Sequence, residues 1–227
     1  MRPDILYIVG EHSEWRHQEL RYSLRSLKNM EHASVTISGT MPSWVKDVAH
    51  VQGNDTSSNR AENVQRKILA ALDQVGDKVI VMWDDIYIME PWNPVGITYL
   101  GPLANRITNC GKRIDQWSKS VRATMDLCKS IGFHEPLDCG THHPHLYDRD
   151  ELREVVELSL RNGAVDFTTL YGAICSPMMT KGHNAKVKKW EGSFDKAILS
   201  SSPRIEKNTN FRAWINARFP EKSPYER

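Results

Sequence analysis

The sequence predicts an α/β protein with a mostly parallel sheet and helices on both faces. Strand-like and helix-like segments alternate over residues 4–89, the strand-like ones are apolar runs, and the helix-like ones are amphipathic. That combination suits strands buried on both faces and helices with one wet side.

DILYIVG (residues 4–10) is a short apolar run closed by glycine, as a buried first strand requires. WRHQELRYSLRSLKNM (15–30) has helical periodicity, with Leu20, Leu24 and Leu27 on one stripe beside Arg21, Arg25 and Lys28. ASVTISG (33–39), rich in β-branched residues, is a second strand, and NRAENVQRKILAALDQV (59–75) a second amphipathic helix. KVIVMWDDIYIM (78–89) is a third strand, interrupted by Asp84 and Asp85. EPWNPVGITYLGPL (90–103) spaces proline and glycine as an irregular loop or an edge strand does. Helices are expected over 113–131, where Trp117, Val121, Met125 and Cys128 recur, and over 148–163, with Asp148 or Asp150 as N-cap and Gly163 past the end. A last helix closes before Pro220. No repeat or linker divides the chain, so residues 1–227 read as one domain with a looser half after residue 100.

Composition narrows the class. The 227 residues are 40% apolar and 26% charged, which sets aside disordered and fibrous chains. Apolar runs fall short of the roughly 20 residues a membrane helix needs. The start, MRPDILYIVGEHSEW, carries Asp4 and no small-residue cleavage site, unlike a signal peptide. Cys110, Cys128, Cys139 and Cys175 lack zinc-finger or CxxC spacing and read as reduced thiols. A cytoplasmic protein without a membrane segment is expected. Net charge is +2 but uneven: residues 167–190 hold Lys181, Lys186, Lys188 and Lys189 and no acid. A solvated surface is one reading of that stretch; a face for a polyanion is the other.

Asp84 and Asp85 pose the chemical question. An unpaired buried carboxylate costs several kcal/mol or is neutralised by a shifted pKa, and a second beside it adds repulsion. Basic side chains or a divalent cation must answer that charge, unless the pair is a turn or a helix N-cap. In parallel sheets ligands bind beyond the carboxyl ends of the strands, where this pair stands. P-loop, GxGxxG, GxSxG and HExxH signatures are absent. What remains is the acidic pair, the histidine-rich LDCGTHHPHLYD (137–148), and NRAENVQRK (59–67). Two carboxylates and an imidazole can hold Mg²⁺ or Mn²⁺ with positions open to phosphate oxygens. A diphosphate leaving group needs such an ion, because charge gathers on it as its bond to carbon breaks. The histidines otherwise read as a polar loop.

ELRYSLRSL (19–27), MPSWV (41–45), MWDDIYIMEP (82–91) and THHPHLYDRDEL (141–152) carry a family resemblance, with LYGAIC (170–175) and RFPEKSPYE (218–226) in support. In this order they resemble nucleotide-sugar-dependent glycosyltransferases of the GT-A fold, in the bacterial and phage group related to the Stealth capsular-polysaccharide proteins. Trp83 stands where that group has Asn in its Asn-Asp-Asp variant of the DxD motif, and Asn184 where it has Asp. His142 takes the family histidine and Arg149 its basic position.

The resemblance implies a GT-A-like (Rossmann-like) fold, with a nucleotide-sugar-binding half over 1–100 and an acceptor half over 101–227. It implies metal-dependent transfer of a sugar from a UDP-sugar, with Mn²⁺ or Mg²⁺. Asp85 would bind the metal, Asp84 the metal or the ribose, and His142 the metal or the leaving diphosphate. Asn63 and Lys67 would meet the base or ribose and a phosphate, and Val9, Gly10 and Glu11 would line the nucleotide pocket. Arg25, ahead of Arg21, is the candidate arginine of the first helix. Asp138 would be the acceptor-activating base, with Asp115 its competitor. The acceptor would be a polymer, either phage DNA with hydroxymethylated bases or a bacterial glycan. Trp117, Trp190 and Trp214 would serve as stacking surfaces or as core. Two other readings stay open: a Stealth-type transferase moving a sugar phosphate, and a non-catalytic polyanion-binding module.

Overall fold

The computed structural model of the protein describes residues 2–93 and 95–227, so Met1 and Pro94, the latter part of the expected loop, lie outside the described residues. The chain begins β1 (Asp4–Val9), α1 (Gln18–Ser26), β2 (Val35–Gly39), β3 (Ala49–Val51), α2 (Arg60–Ala71) and β4 (Lys78–Trp83). It continues β5 (Ile86–Ile88), β6 (Ile97–Tyr99), α3 (Leu103–Cys110), α4 (Gln116–Ser130), β7 (His145–Asp148) and α5 (Arg149–Arg161). It ends α6 (Phe167–Ile174), β8 (Met179–Lys181), β9 (Ile198–Ser200), α7 (Pro203–Glu206) and α8 (Thr209–Arg218).

The central sheet has the order β3-β2-β1-β4-β7. All neighbours are parallel except β7, which runs antiparallel to β4. Strand alternation splits β1 between two cores. Ile5, Tyr7 and Val9 pack with Leu20, Leu24 and Leu27 of the α1 stripe and its 3₁₀ extension, whereas Leu6 and Ile8 pack with Ile68 and Ala71 of α2. Burial on both faces is why these strands read as apolar runs.

From β1 the chain moves outward through β2 to β3, then returns through α2 to β4 on the other flank of β1. The reversal between β1 and β4 is where open sheets of this kind take ligands. Ile8 pairs with Trp83 there, so Val9–Gly10–Glu11 and Asp84–Asp85 leave the sheet side by side.

The expected third strand divides. Asp84 and Asp85 form a turn, and β5 leaves the central sheet to pair antiparallel with β9. Trp83, at the joint, packs against both main cores, which accounts for an indole there. β3 and β7 were not legible as strands. β3 is a short, largely exposed edge, and β7 is His-Leu-Tyr-Asp inside the histidine-rich stretch. His145 is buried, with its ring bonded to the Thr98 N–H and to Thr141, and the His143 ring meets the His183 carbonyl. These two histidines are structural. Asp148 caps α5 as expected, and Asp115 caps α4 through the Ser118 N–H. Trp190 and Trp214 join Phe194 and Phe211 in an aromatic core rather than a stacking surface.

Candidate active site

Acid collects where β1 and β4 end. Asp84 is half-buried at the turn, and its carboxyl is held well above the usual range by burial, then by Asp85, Glu19 and Glu206. Glu19 comes from the first turn of α1, and Glu206 from the end of α7. The Glu206 carboxyl is pushed up to about 7, by burial first and by Asp85 and Glu19 in addition. It accepts from Ser201 Oγ at 2.6 Å, and that hydroxyl also meets the Tyr87 hydroxyl at 3.1 Å.

Asp85 is answered differently. One oxygen takes Lys186 Nζ at 2.5 Å and the other takes Ser200 Oγ at 3.1 Å. Asn184 shapes this contact through the backbone: its side-chain oxygen accepts from the Lys186 N–H at 2.9 Å. His142, at a left-handed φ of 55°, has its ring pKa pulled down to about 4 by burial and by Lys186. It is therefore neutral at pH 7, with a nitrogen lone pair available to an electrophile.

The other side of the crevice is a rigid wall. Val9 is buried, and Gly10 and Glu11 carry the chain to the surface. A Cβ at Gly39 would lie 2.0 Å from the Val9 carbonyl oxygen, so only glycine lets β2 end this close to β1. Lys67, 3% exposed, donates to that carbonyl at 3.0 Å and to Asp55 at 2.5 Å. Asp55 in turn accepts from the Glu11 N–H at 3.2 Å. Asn63 is buried, its amide oxygen taking the Ser57 N–H and its NH₂ reaching the Ser57 carbonyl, each at 2.8 Å. Both residues thus hold the wall of the crevice, with their polar groups already engaged.

Arg25 lies elsewhere. It grips Glu226 with two nitrogens, at 2.7 and 2.9 Å, and the Phe219 carbonyl at 2.9 Å. Arg21 adds a 3.3 Å contact to Glu226 and lies over the Trp44 ring at 4.5 Å. Backbone bonds from Lys46 to Tyr225 and from Arg227 to Trp44 complete the clasp. The first-helix, Pro-x-Trp and C-terminal motifs therefore meet one another. Asp138 is buried against Arg106 at 2.6 Å, and burial raises its carboxyl against the opposing pull of that guanidinium. Arg149 pairs with Asp77 and Asp150, near the start of β4 and far from the acid cluster.

Among the described residues, His17, Glu19 and Asp84 form the group whose ligand atoms all lie within 4.8 Å of one another. Asp85 and His142 are not part of that set. Glu19 was missed although it was legible, since it sits on the same buried face as Leu20, Ser23 and Leu24. A carboxylate on an apolar helix stripe is the signal that finds it. His17 carries no such periodic mark.

No protein-family model matches the chain, and no curated protein does. Among solved structures, 2-C-methyl-D-erythritol 4-phosphate cytidylyltransferase from Thermus thermophilus aligns at 13% identity and TM-score 0.44, over 81% of this chain and 89% of that one. The 4-diphosphocytidyl-2C-methyl-D-erythritol synthase from Anaerococcus prevotii aligns at 12% identity and TM-score 0.51, over 96% of this chain and 98% of that one. The second likeness spans nearly the whole of both chains. The fold is Rossmann-like and GT-A-like. Among the described residues no helix is long and apolar enough to cross a membrane.

Proposed function

We propose that the protein is a metal-dependent glycosyltransferase that moves a sugar from a nucleotide-diphosphate sugar, a UDP-sugar, to an acceptor hydroxyl. The observation that carries this is the gathering of acid at the β1/β4 crevice, where Glu19, Asp84, Asp85 and Glu206 act on one another and Lys186 pairs with Asp85. That charge suits a divalent cation, and Mn²⁺ or Mg²⁺ held there would offset the charge developing on a diphosphate leaving group. Asp84, Asp85 and His142 are the residues that would hold it, with Lys186 released from Asp85 to the diphosphate. α1 and α2 both begin at this end of the sheet, so their free N–H groups favour an anion. Val9, Gly10 and Glu11 would line the nucleotide, with Asn63 and Lys67 fixing the wall behind them. Asp138, positioned by Arg106, would take the acceptor proton.

A polymeric acceptor is favoured by Trp117, 49% exposed, with the Arg106 and Arg113 guanidinium groups 5.7 and 5.4 Å from its ring centre. Lys181, Lys188 and Lys189 are exposed as well. Stacking and charge together suit hydroxymethylated DNA, with a bacterial glycan as the other outcome. Radiolabelled UDP-glucose and other nucleotide sugars, supplied with Mn²⁺ and hydroxymethylated DNA, plain DNA or a glycan pool, test this. Label on the hydroxymethylated DNA is expected, with activity falling steeply with salt. Label confined to the glycan pool would remove the DNA acceptor, and no transfer from any nucleotide sugar would remove the glycosyltransferase. A product heavier by a further phosphate would assign sugar-phosphate transfer instead. The likeness to the Anaerococcus synthase favours a second reading, nucleotidyl transfer, which would release diphosphate from a nucleoside triphosphate.

A further inference from the structure

We propose that His17, Glu19 and Asp84 form a seat for a borderline divalent cation that fills before any donor binds. It shares Asp84 with the proposed donor site and rests on that reading only for the use made of the ion.

The observations are independent of the resemblance. Glu19 is 3% exposed, and its Oε2 has no hydrogen-bond partner. His17 Nδ1 is buried and equally unpartnered. Orphaned buried polar atoms are uncommon in folded proteins, and each asks for an ion, a water or a proton. Both residues belong to a group that, among the described residues, brings one ligand atom each of His17, Glu19 and Asp84 within 4.8 Å of one another. Ligands about 2.1 Å from a common ion stand roughly 3–4 Å apart, so small side-chain rotations close the set.

Local structure explains the placement. Arg16 and His17 both have left-handed backbones, with φ of 53° and 58°, an uncommon state for residues other than glycine. His17 occupies the N-cap position of α1 yet makes no side-chain capping bond. Its N–H is taken by Ser13 Oγ at 2.6 Å instead, which fixes the ring's attachment point beside Glu19. Among the described residues no basic side chain is in hydrogen-bond contact with Glu19 or Asp84, and Arg60 acts on Asp84 only through space, so a bound cation would offset the remaining charge. One imidazole and two carboxylates suit Mn²⁺ or Zn²⁺ better than Ca²⁺, which prefers an all-oxygen shell. The loop carrying His17 also lines an open depression with Glu11, His12, Ser13, Glu14 and Arg16, which gives an ion a route in.

Electron paramagnetic resonance of Mn²⁺ titrated into the full chain, without nucleotide, tests the seat. One bound Mn²⁺ is expected, with nitrogen coupling from His17 in the pulsed spectrum. Glu19→Gln and His17→Ala should each weaken binding by about 10-fold or more, and His17→Ala should erase the nitrogen coupling. Mn²⁺ binding without nucleotide reads the seat alone, and nucleotide-sugar binding to the Mn²⁺-loaded chain reads the donor site, so failure of the seat and failure of the donor reading give different results. Melting curves of each variant show that it is folded. Absence of Mn²⁺ binding at millimolar concentration would overturn the proposal. Mn²⁺ binding kept at full strength in both Glu19→Gln and His17→Ala would overturn it as well.

Discussion

The clasp and the crevice both concentrate charge around α1, and they handle it in opposite ways. In the clasp, Arg25 and Arg21 surround a Glu226 that is 3% exposed in its side chain, and every carboxylate oxygen meets a cation or an N–H. In the crevice, Glu19, Asp84 and Glu206 crowd together, and buried Glu19 and His17 atoms stay unpartnered. A balanced set serves folding. An unbalanced one, held in place by the same helix, is the feature on which the proposed cation seat rests. Arg25 and Glu19 are six residues apart in sequence, and their functions are separated by which end of the helix each occupies.

Breaking the clasp should have the largest effect. Glu226→Ala strands two guanidinium groups near the surface of the core and should cost about 3–4 kcal/mol, roughly 6–16 °C in Tm, read by thermal unfolding. A loss below about 1 kcal/mol would show that the clasp contributes little.

Acidity sharpens the contrast. The Glu206 carboxyl titrates at about 7 when folded, above its ordinary 4.5. Its stabilising effect is therefore fully present below about pH 4.5 and is lost as pH rises to about 7, amounting to about 3 kcal/mol. Glu226 has the opposite sign. Burial raises its pKa, but the Arg25 hydrogen bonds, the Ser223 N–H and Arg21 outweigh that and hold it low. Its contribution is present above about pH 4.5 and disappears on acidification. Glu206→Gln should thus flatten the fall in stability between pH 4.5 and 7 in chemical denaturation, while the acid limb set by Glu226 persists. An unchanged slope would mean that Glu206 titrates normally.

The wall of the crevice should respond less strongly. Lys67→Met leaves the Val9 carbonyl without its donor and frees Asp55, at a cost of about 2 kcal/mol. Because the crevice edge loosens, KM for the donor should rise more than kcat falls. A fall in kcat with KM unchanged would place Lys67 in the chemistry instead.

The first three strands and the helices between them were legible because apolar runs and amphipathic stripes encode local structure directly. Asp84 and Asp85 stood out because carboxylates interrupt a run that must be buried. What sequence could not supply was pairing across distance. Nothing local says that Lys186 reaches Asp85, that Arg25 turns to a glutamate 201 positions away, or that Lys67 is drawn inward by Asp55. β3 and β7 were missed for a related reason: each is short and takes its place from partners rather than from its own pattern. His17 belongs to the site through a backbone turn whose φ no periodicity reveals.

The smallest intrinsic effect is also the most informative background. Asp84→Asn removes repulsion at the turn and should raise ion-free stability by about 1 kcal/mol while removing the centre of the site. Melting temperature with UDP-glucose, with and without Mn²⁺, compared between the native chain and Asp84→Asn, is therefore the most direct measurement of the central claim. At about 100 times its Kd a donor adds about 2.7 kcal/mol, and the account predicts that rise only when Mn²⁺ is present and only when Asp84 is intact. An equal rise without Mn²⁺, or an undiminished one in Asp84→Asn, would contradict it.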